Sequence, residues 1–129
     1  MIEKSKEKKV IYFENKKKGV IVAIFANPIG IFNSRIKKIE NKLRLGFGTP
    51  SKFAFLDIRD CYYLDRRPII KKMKGIARCN FEEDTYNSEV GKSLAKERLI
   101  EKMDKEEARF LKFVDKALEK VKDEVKKLL

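Results

Sequence analysis

The 129-residue sequence predicts an α+β protein, an N-terminal antiparallel β-sheet followed by a C-terminal helix or helix pair. Three observations carry that prediction. Short runs of β-branched and aromatic residues fill the front of the chain, as in VIYFE and GVIVAIFA. A long, charged, helix-forming segment fills the back. Between them, in residues 75–98 (GIARCNFEEDTYNSEVGKSLAKER), the apolar period changes from about 2 to about 3.6. The length suits one domain over 1–129: a frayed segment 1–9, a β-rich basic part 10–80 and a helical tail 88–129.

The elements follow in order. Val10–Glu14 and Gly19–Ala26 read as strands joined by a hairpin loop of lysines ending at Gly19. The second run is apolar on both faces, the pattern of a central strand. Asn27-Pro28 stops it, because proline cannot donate to a ladder. Over 29–45, Ser34 caps a short basic helix with Ile36, Ile39 and Leu43 on one face; a basic strand is the other reading. Gly46–Lys52 reads as a loop, since its spacing and Pro50 do not make a phosphate loop. KFAFLDIR at 52–59 alternates and reads as a third strand, continued by Cys61–Leu64. Asp65–Pro68 reads as a turn. Ile69–Met73 and Gly75–Cys79 form a last strand, or two joined by a bulge at Gly75. After an acidic turn at Glu82-Glu83-Asp84, Asn87 or Ser88 caps the tail helix. Val90, Leu94, Ala95, Leu99, Ile100 and Met103 are its buried face. Beyond Met103-Asp104, either a break or a continuous passage, Leu111, Val114, Leu118, Val121, Val125 and Leu128 recur as a heptad seam. That face packs on the chain's own sheet or joins two copies through 90–128.

Composition narrows the chemistry. Histidine is absent, which removes the commonest general base and the serine–histidine–aspartate triad. Two cysteines, Cys61 and Cys79, are too few for a disulfide scaffold or a zinc site, so a reduced intracellular protein is expected. No apolar run is long enough to span a membrane, and no signal peptide is visible. Glu82, Glu83 and Asp84 are the only dense carboxylates outside the helical tail, and a capped, solvated turn explains them as well as acid–base hydrolysis does. The reading is a non-enzyme without cofactor or metal.

Net charge is +12, and its placement is uneven. Residues 89–129 hold 12 basic and 10 acidic side chains, which leaves 20 against 10 to the first 88. A field of that sign favours anionic partners, nucleic acid among them. Arginines and aromatics interleave: Tyr62 and Tyr63 with Arg66 and Arg67, Arg78 with Tyr86, Arg98 and Arg109 with Phe110. Arginine holds phosphate in a fork and aromatic rings stack on bases. The helix start at Asn87-Ser88, followed by Gly91-Lys92-Ser93, offers backbone N–H groups to phosphate. The candidate ligand-binding residues are therefore Arg78, Tyr86, Asn87, Lys92, Arg98 and Arg109. Each also has a structural reading: Tyr86 as a staple against the helix, Arg98 paired with Glu97 or Glu101, Cys79 in the core at a strand end.

The pattern Gly75-Ile-Ala77-Arg-Cys79, then Asp84, Tyr86, Gly91, Leu94-Ala95 and Arg98, resembles a motif of small bacteriophage proteins. There a G-x-A-K-C strand precedes an acidic residue, an aromatic, a glycine and a helix with L/I-A-x-x-R. Among such proteins the chain looks like the anti-Thoeris sponge family. Arg78 stands for the usual lysine, Tyr86 for the usual phenylalanine, and the front segment is longer. The resemblance implies sequestration, without turnover, of a cyclic nucleotide immune messenger such as a cyclic ADP-ribose isomer. It also implies a homodimer or higher homo-oligomer in the cytoplasm of an infected bacterium, with Tyr86 and Arg98 as matched positions. The alternative expectation is a phage protein that binds nucleic acid or inhibits CRISPR through its basic N-terminal part.

Overall fold

A computed structural model describes residues 9–47, 51–81 and 85–129, with side chains omitted at 42–47, 51–57 and 121. The frayed segment expected up to residue 9, apart from Lys9 itself, the acidic turn at 82–84 and residues 48–50 of the expected loop lie outside them. The α+β class holds. Strands β1 (Val10–Asn15), β2 (Val20–Phe25) and β3 (Gly75–Arg78) form one antiparallel sheet in the order β1-β2-β3. Helices α1 (Pro28–Phe47) and α2 (Ser51–Lys71) lie between β2 and β3 in the chain, and α3 (Ser88–Leu128) follows.

The hairpin is built as the lysine loop predicts. Asn15 Oδ1 accepts from the Lys18 N–H, and Gly19 takes the left-handed conformation at φ 63°. The strand that is apolar on both faces is the central one.

The middle of the chain corrects the expected β-rich 10–80. Asn27-Pro28 does not only end β2; it starts α1. Asn27 Oδ1 accepts from the Gly30 N–H at 2.9 Å, and Pro28 occupies the first helical position, where a missing N–H costs nothing. The helix therefore begins well before Ser34. The strands expected at 52–59, 61–64 and 69–73, and the turn at 65–68, are all parts of α2. Ile58, Tyr62 and Ile70 fall on one helical face and pack into the core, with Arg66 between them. Pro68 sits in the last turn, so its lost hydrogen bond falls at an exposed end. At Gly75 there is close approach rather than a bulge: a Cβ there would lie 2.1 Å from the Ala95 carbonyl oxygen and 2.5 Å from Leu99 N.

Helix α3 is one unbroken helix of 41 residues, about 60 Å long, running straight through Met103-Asp104. Its first half covers one sheet face, built from Tyr12, Ile21, Ala23, Phe25 and Ala77. Ala95 is small enough to let the backbone close on Gly75. Farther along, Met103, Phe110 and Val114 pack against the α1–α2 pair, where Phe32, Tyr62 and Phe110 form an aromatic knot with ring centroids 5.1–5.9 Å apart. The opposite sheet face carries Ile11, Phe13, Val20, Val22, Ile24 and Ile76, all partly or well exposed. No described helix is long and apolar enough to cross a membrane.

Candidate functional site

One register rule places the functional side chains of the sheet–helix junction. Two strand residues advance about 6.8 Å and four helix residues about 6 Å. Alternate residues of β1 therefore meet every fourth residue of α3. Glu14 meets Ser88, which hydrogen-bonds it; Tyr12 meets Lys92, whose ammonium lies 5.9 Å from the ring centroid. Val10 and Lys96 share the next hollow along.

Where β3 ends and α3 begins, a hollow of about 420 Å³ opens. Arg78, Cys79, Tyr86 and Asn87 line it, over a floor of Ile21, Ala77 and Leu94. Three of the six predicted ligand residues thus come together: Arg78, Tyr86 and Asn87. Arg78 is exposed and has no carboxylate partner among the described residues. The Tyr86 hydroxyl donates to Glu14 Oε1, and its ring stacks on Phe81 at 6.3 Å. The hydrogen bonds from Tyr86 and Ser88, with the charges of Lys16 and Lys92, hold the Glu14 carboxyl below its ordinary value. Partial burial and the Glu14 carboxylate push the Tyr86 phenol upward. Tyr86 thus packs against the core and is also a donor across the sheet. Asn87 is the N-cap: its Oδ1 accepts from the N–H groups of Glu89 at 3.1 Å and Val90 at 3.2 Å. Those two donors are therefore spent within the chain, and Glu89 adds a negative charge to the first turn. The helix N-terminus is a poorer phosphate site than the sequence suggests.

The other three predicted residues go elsewhere. Lys92 lies over Tyr12. Arg98 pairs with neither Glu97 nor Glu101; its Nη1 donates to the Ile76 carbonyl at 2.5 Å, and Lys102 does the same to Lys74 at 2.6 Å. Both seal carbonyls along β3, an edge strand. Arg109 lies on the far half of α3, its Nε 3.9 Å from Glu106 Oε2.

Glu106 is the residue that sequence reasoning missed. It is a buried carboxylate, 4% exposed. Arg66 holds it in a fork, Nε to Oε1 at 2.8 Å and Nη2 to Oε2 at 2.6 Å, and the Tyr62 hydroxyl donates to Oε1 at 2.6 Å. Burial alone would raise its pKa, but the bonds from Arg66 and Tyr62 and the charges of Arg66 and Arg109 bring it below its ordinary value. Tyr62 is pushed strongly up by its burial and by Glu106. The Tyr62/Arg66 spacing on a helix was the available signal, hidden by reading 61–64 as a strand. Among the described residues no group of histidine, cysteine, aspartate and glutamate is placed to hold a metal ion.

Compared with protein-family models, curated proteins and solved structures, the chain matches none.

Proposed function

We propose that the chain is a non-catalytic binding protein that holds an anionic nucleotide, and that it sequesters a cyclic nucleotide immune messenger of the cyclic ADP-ribose class. The observation that carries this reading is the junction hollow. It joins a guanidinium with no carboxylate partner among the described residues, the ring of Tyr86 stacked on Phe81, and apolar walls within about 420 Å³, the size range of small-molecule sites. Arg78 forks a phosphate, and Phe81 and Tyr86 offer a ring surface for a base. Two copies joined through the exposed turns of α3 complete the reading, because Leu111, Val125 and Leu128 keep an apolar stripe outside the subunit core. Ala95, Leu99, Met103, Phe110 and Val114 are buried within one subunit, so the contact falls on Leu111 and the turns beyond it rather than on all of 90–128.

Thermal unfolding with cyclic ADP-ribose isomers and cyclic dinucleotides tests it. A ligand at about 100 times Kd adds about 2.7 kcal/mol, a clear rise in Tm. Arg78→Ala abolishes that rise and Arg109→Ala keeps it, and the ligand is recovered chemically unchanged. Unaltered melting with every nucleotide at high excess refutes the reading.

A second reading, nucleic-acid binding, is favoured by the crowding of Arg66, Arg109, Lys112 and Lys116 around a groove between α2 and α3 beside Phe113. It requires a complex whose affinity falls steeply with salt.

A further inference from the structure

At the other end of the β1–α3 register, where Val10 meets Lys96, lies a hollow of about 370 Å³ that the junction site does not use. Its floor is apolar: Val10, Phe25, Ile31 and Ile100, with Phe25 and Ile31 belonging to the buried core. Its rim is cationic, and the cations come from two helices, Arg35 and Lys38 from α1 and Lys96 from α3. Arg35 is tied down by Asp104 at 2.5 Å and Glu107 at 3.2 Å, which together outweigh its single charge, so it adds no free cation to the rim. Lys38 and Lys96 have no carboxylate partner among the described residues. Two lysines without a carboxylate partner among the described residues thus line one apolar cavity, together with Ser34. Two lysines and an apolar wall lining one hollow complement an anionic head joined to an apolar chain.

We propose that this hollow binds an amphiphilic anion, an acyl chain whose carboxylate or phosphate head sits between Lys38 and Lys96. The apolar floor takes the chain and the two ammonium groups take the head. The volume, near the lower end for ligand sites, suits a chain of medium length. The site is separate from the junction hollow and stands or falls independently of it.

Calorimetry with decanoate, decyl phosphate, decanol and inorganic phosphate tests the assignment. Decanoate or decyl phosphate binds at least about tenfold more tightly than decanol, the worth of one charge-assisted contact, and inorganic phosphate alone does not bind. The tighter of the two anions identifies the head group. Both lysines are exposed rim residues, so the double variant Lys38→Gln/Lys96→Gln keeps its Tm and binds decanoate no better than decanol. Equal affinity for decanol and decanoate, or unchanged decanoate affinity in the double variant, overturns the proposal. So does loss of binding in Phe13→Ser, which would move the ligand to the outer sheet face. Absence of binding by all four probes overturns it as well.

Discussion

At the residue scale, the two positions under most constraint are Glu106 and Gly75. Glu106 is a buried charge held by one guanidinium and one phenol. Glu106→Gln leaves Arg66 without its counter-charge, and costs roughly 3 kcal/mol by chemical denaturation, toward the low end for breaking a buried pair because Arg66 keeps some solvent. Its pH dependence has a definite sign. The folded pKa lies below the ordinary value of 4.5, so the unfolded chain binds the proton more readily. The stabilisation is complete above that value and is lost as pH falls through the folded pKa. Denaturation midpoints collected between neutral and strongly acid pH will show a shallower acid limb in Glu106→Gln than in the parent. Gly75→Ala is a packing test. Its Cβ would strike the backbone of Ala95 and Leu99, which cannot swing aside as a side chain can. The helix must lift from the sheet, at a cost of about 1–3 kcal/mol or more.

At the scale of elements, α3 joins two packing problems. Its first turns depend on the Asn87 cap, so Asn87→Ala lowers stability by about 1 kcal/mol, read as a drop in the denaturant midpoint with unchanged slope. One face of α3 packs first on the sheet and farther along on the α1–α2 pair. Its last turns are different, since residues 122–129 are all exposed. Removing 122–129 leaves the Tm of the subunit nearly unchanged. If copies pair through this end, the same deletion lowers the sedimentation coefficient of the native protein to that of one chain. A full-length protein that sediments as one chain at all concentrations dismisses the pairing. The edge of the sheet has its own arrangement: Arg98 and Lys102 reach from α3 to the carbonyls of Ile76 and Lys74. Arg98→Ala therefore speeds hydrogen exchange in β3 and leaves the nucleotide binding proposed for Arg78 intact.

At the scale of the whole molecule, the charge surplus acts through its distribution. Three acids of α3 are used internally, Glu106 with Arg66 and Asp104 and Glu107 with Arg35. That leaves Arg78, Lys38, Lys96, Lys112 and Lys116 around separate hollows. Small-molecule binding in one hollow depends weakly on salt. Binding along a nucleic acid loses affinity with a log–log slope near the number of phosphates neutralised. Measuring that slope with a single-stranded oligonucleotide separates the two readings: a slope near zero, or no complex at low salt, removes the nucleic-acid reading.

The α+β class, the hairpin with Gly19, the central position of β2, β3 at Gly75, a cap at Asn87 or Ser88 and the helical tail were all legible in the sequence, because each rests on local chemistry. Residues 52–73 were not. Their apolar positions fit a strand period over short windows, and only the buried face Ile58, Tyr62 and Ile70, set against α3, selects the helix. The candidate site divides along the same line. Arg78, Tyr86 and Asn87 line one hollow because they are close in the chain, between the end of β3 and the start of α3. Lys92, Arg98 and Arg109 do not, because a helix carries them about 1.5 Å farther per residue along the molecule. The hollow at Lys38 and Lys96 and the fork at Glu106 were invisible to the sequence. Each joins side chains from segments far apart in the chain, and only tertiary packing decides which of those segments touch.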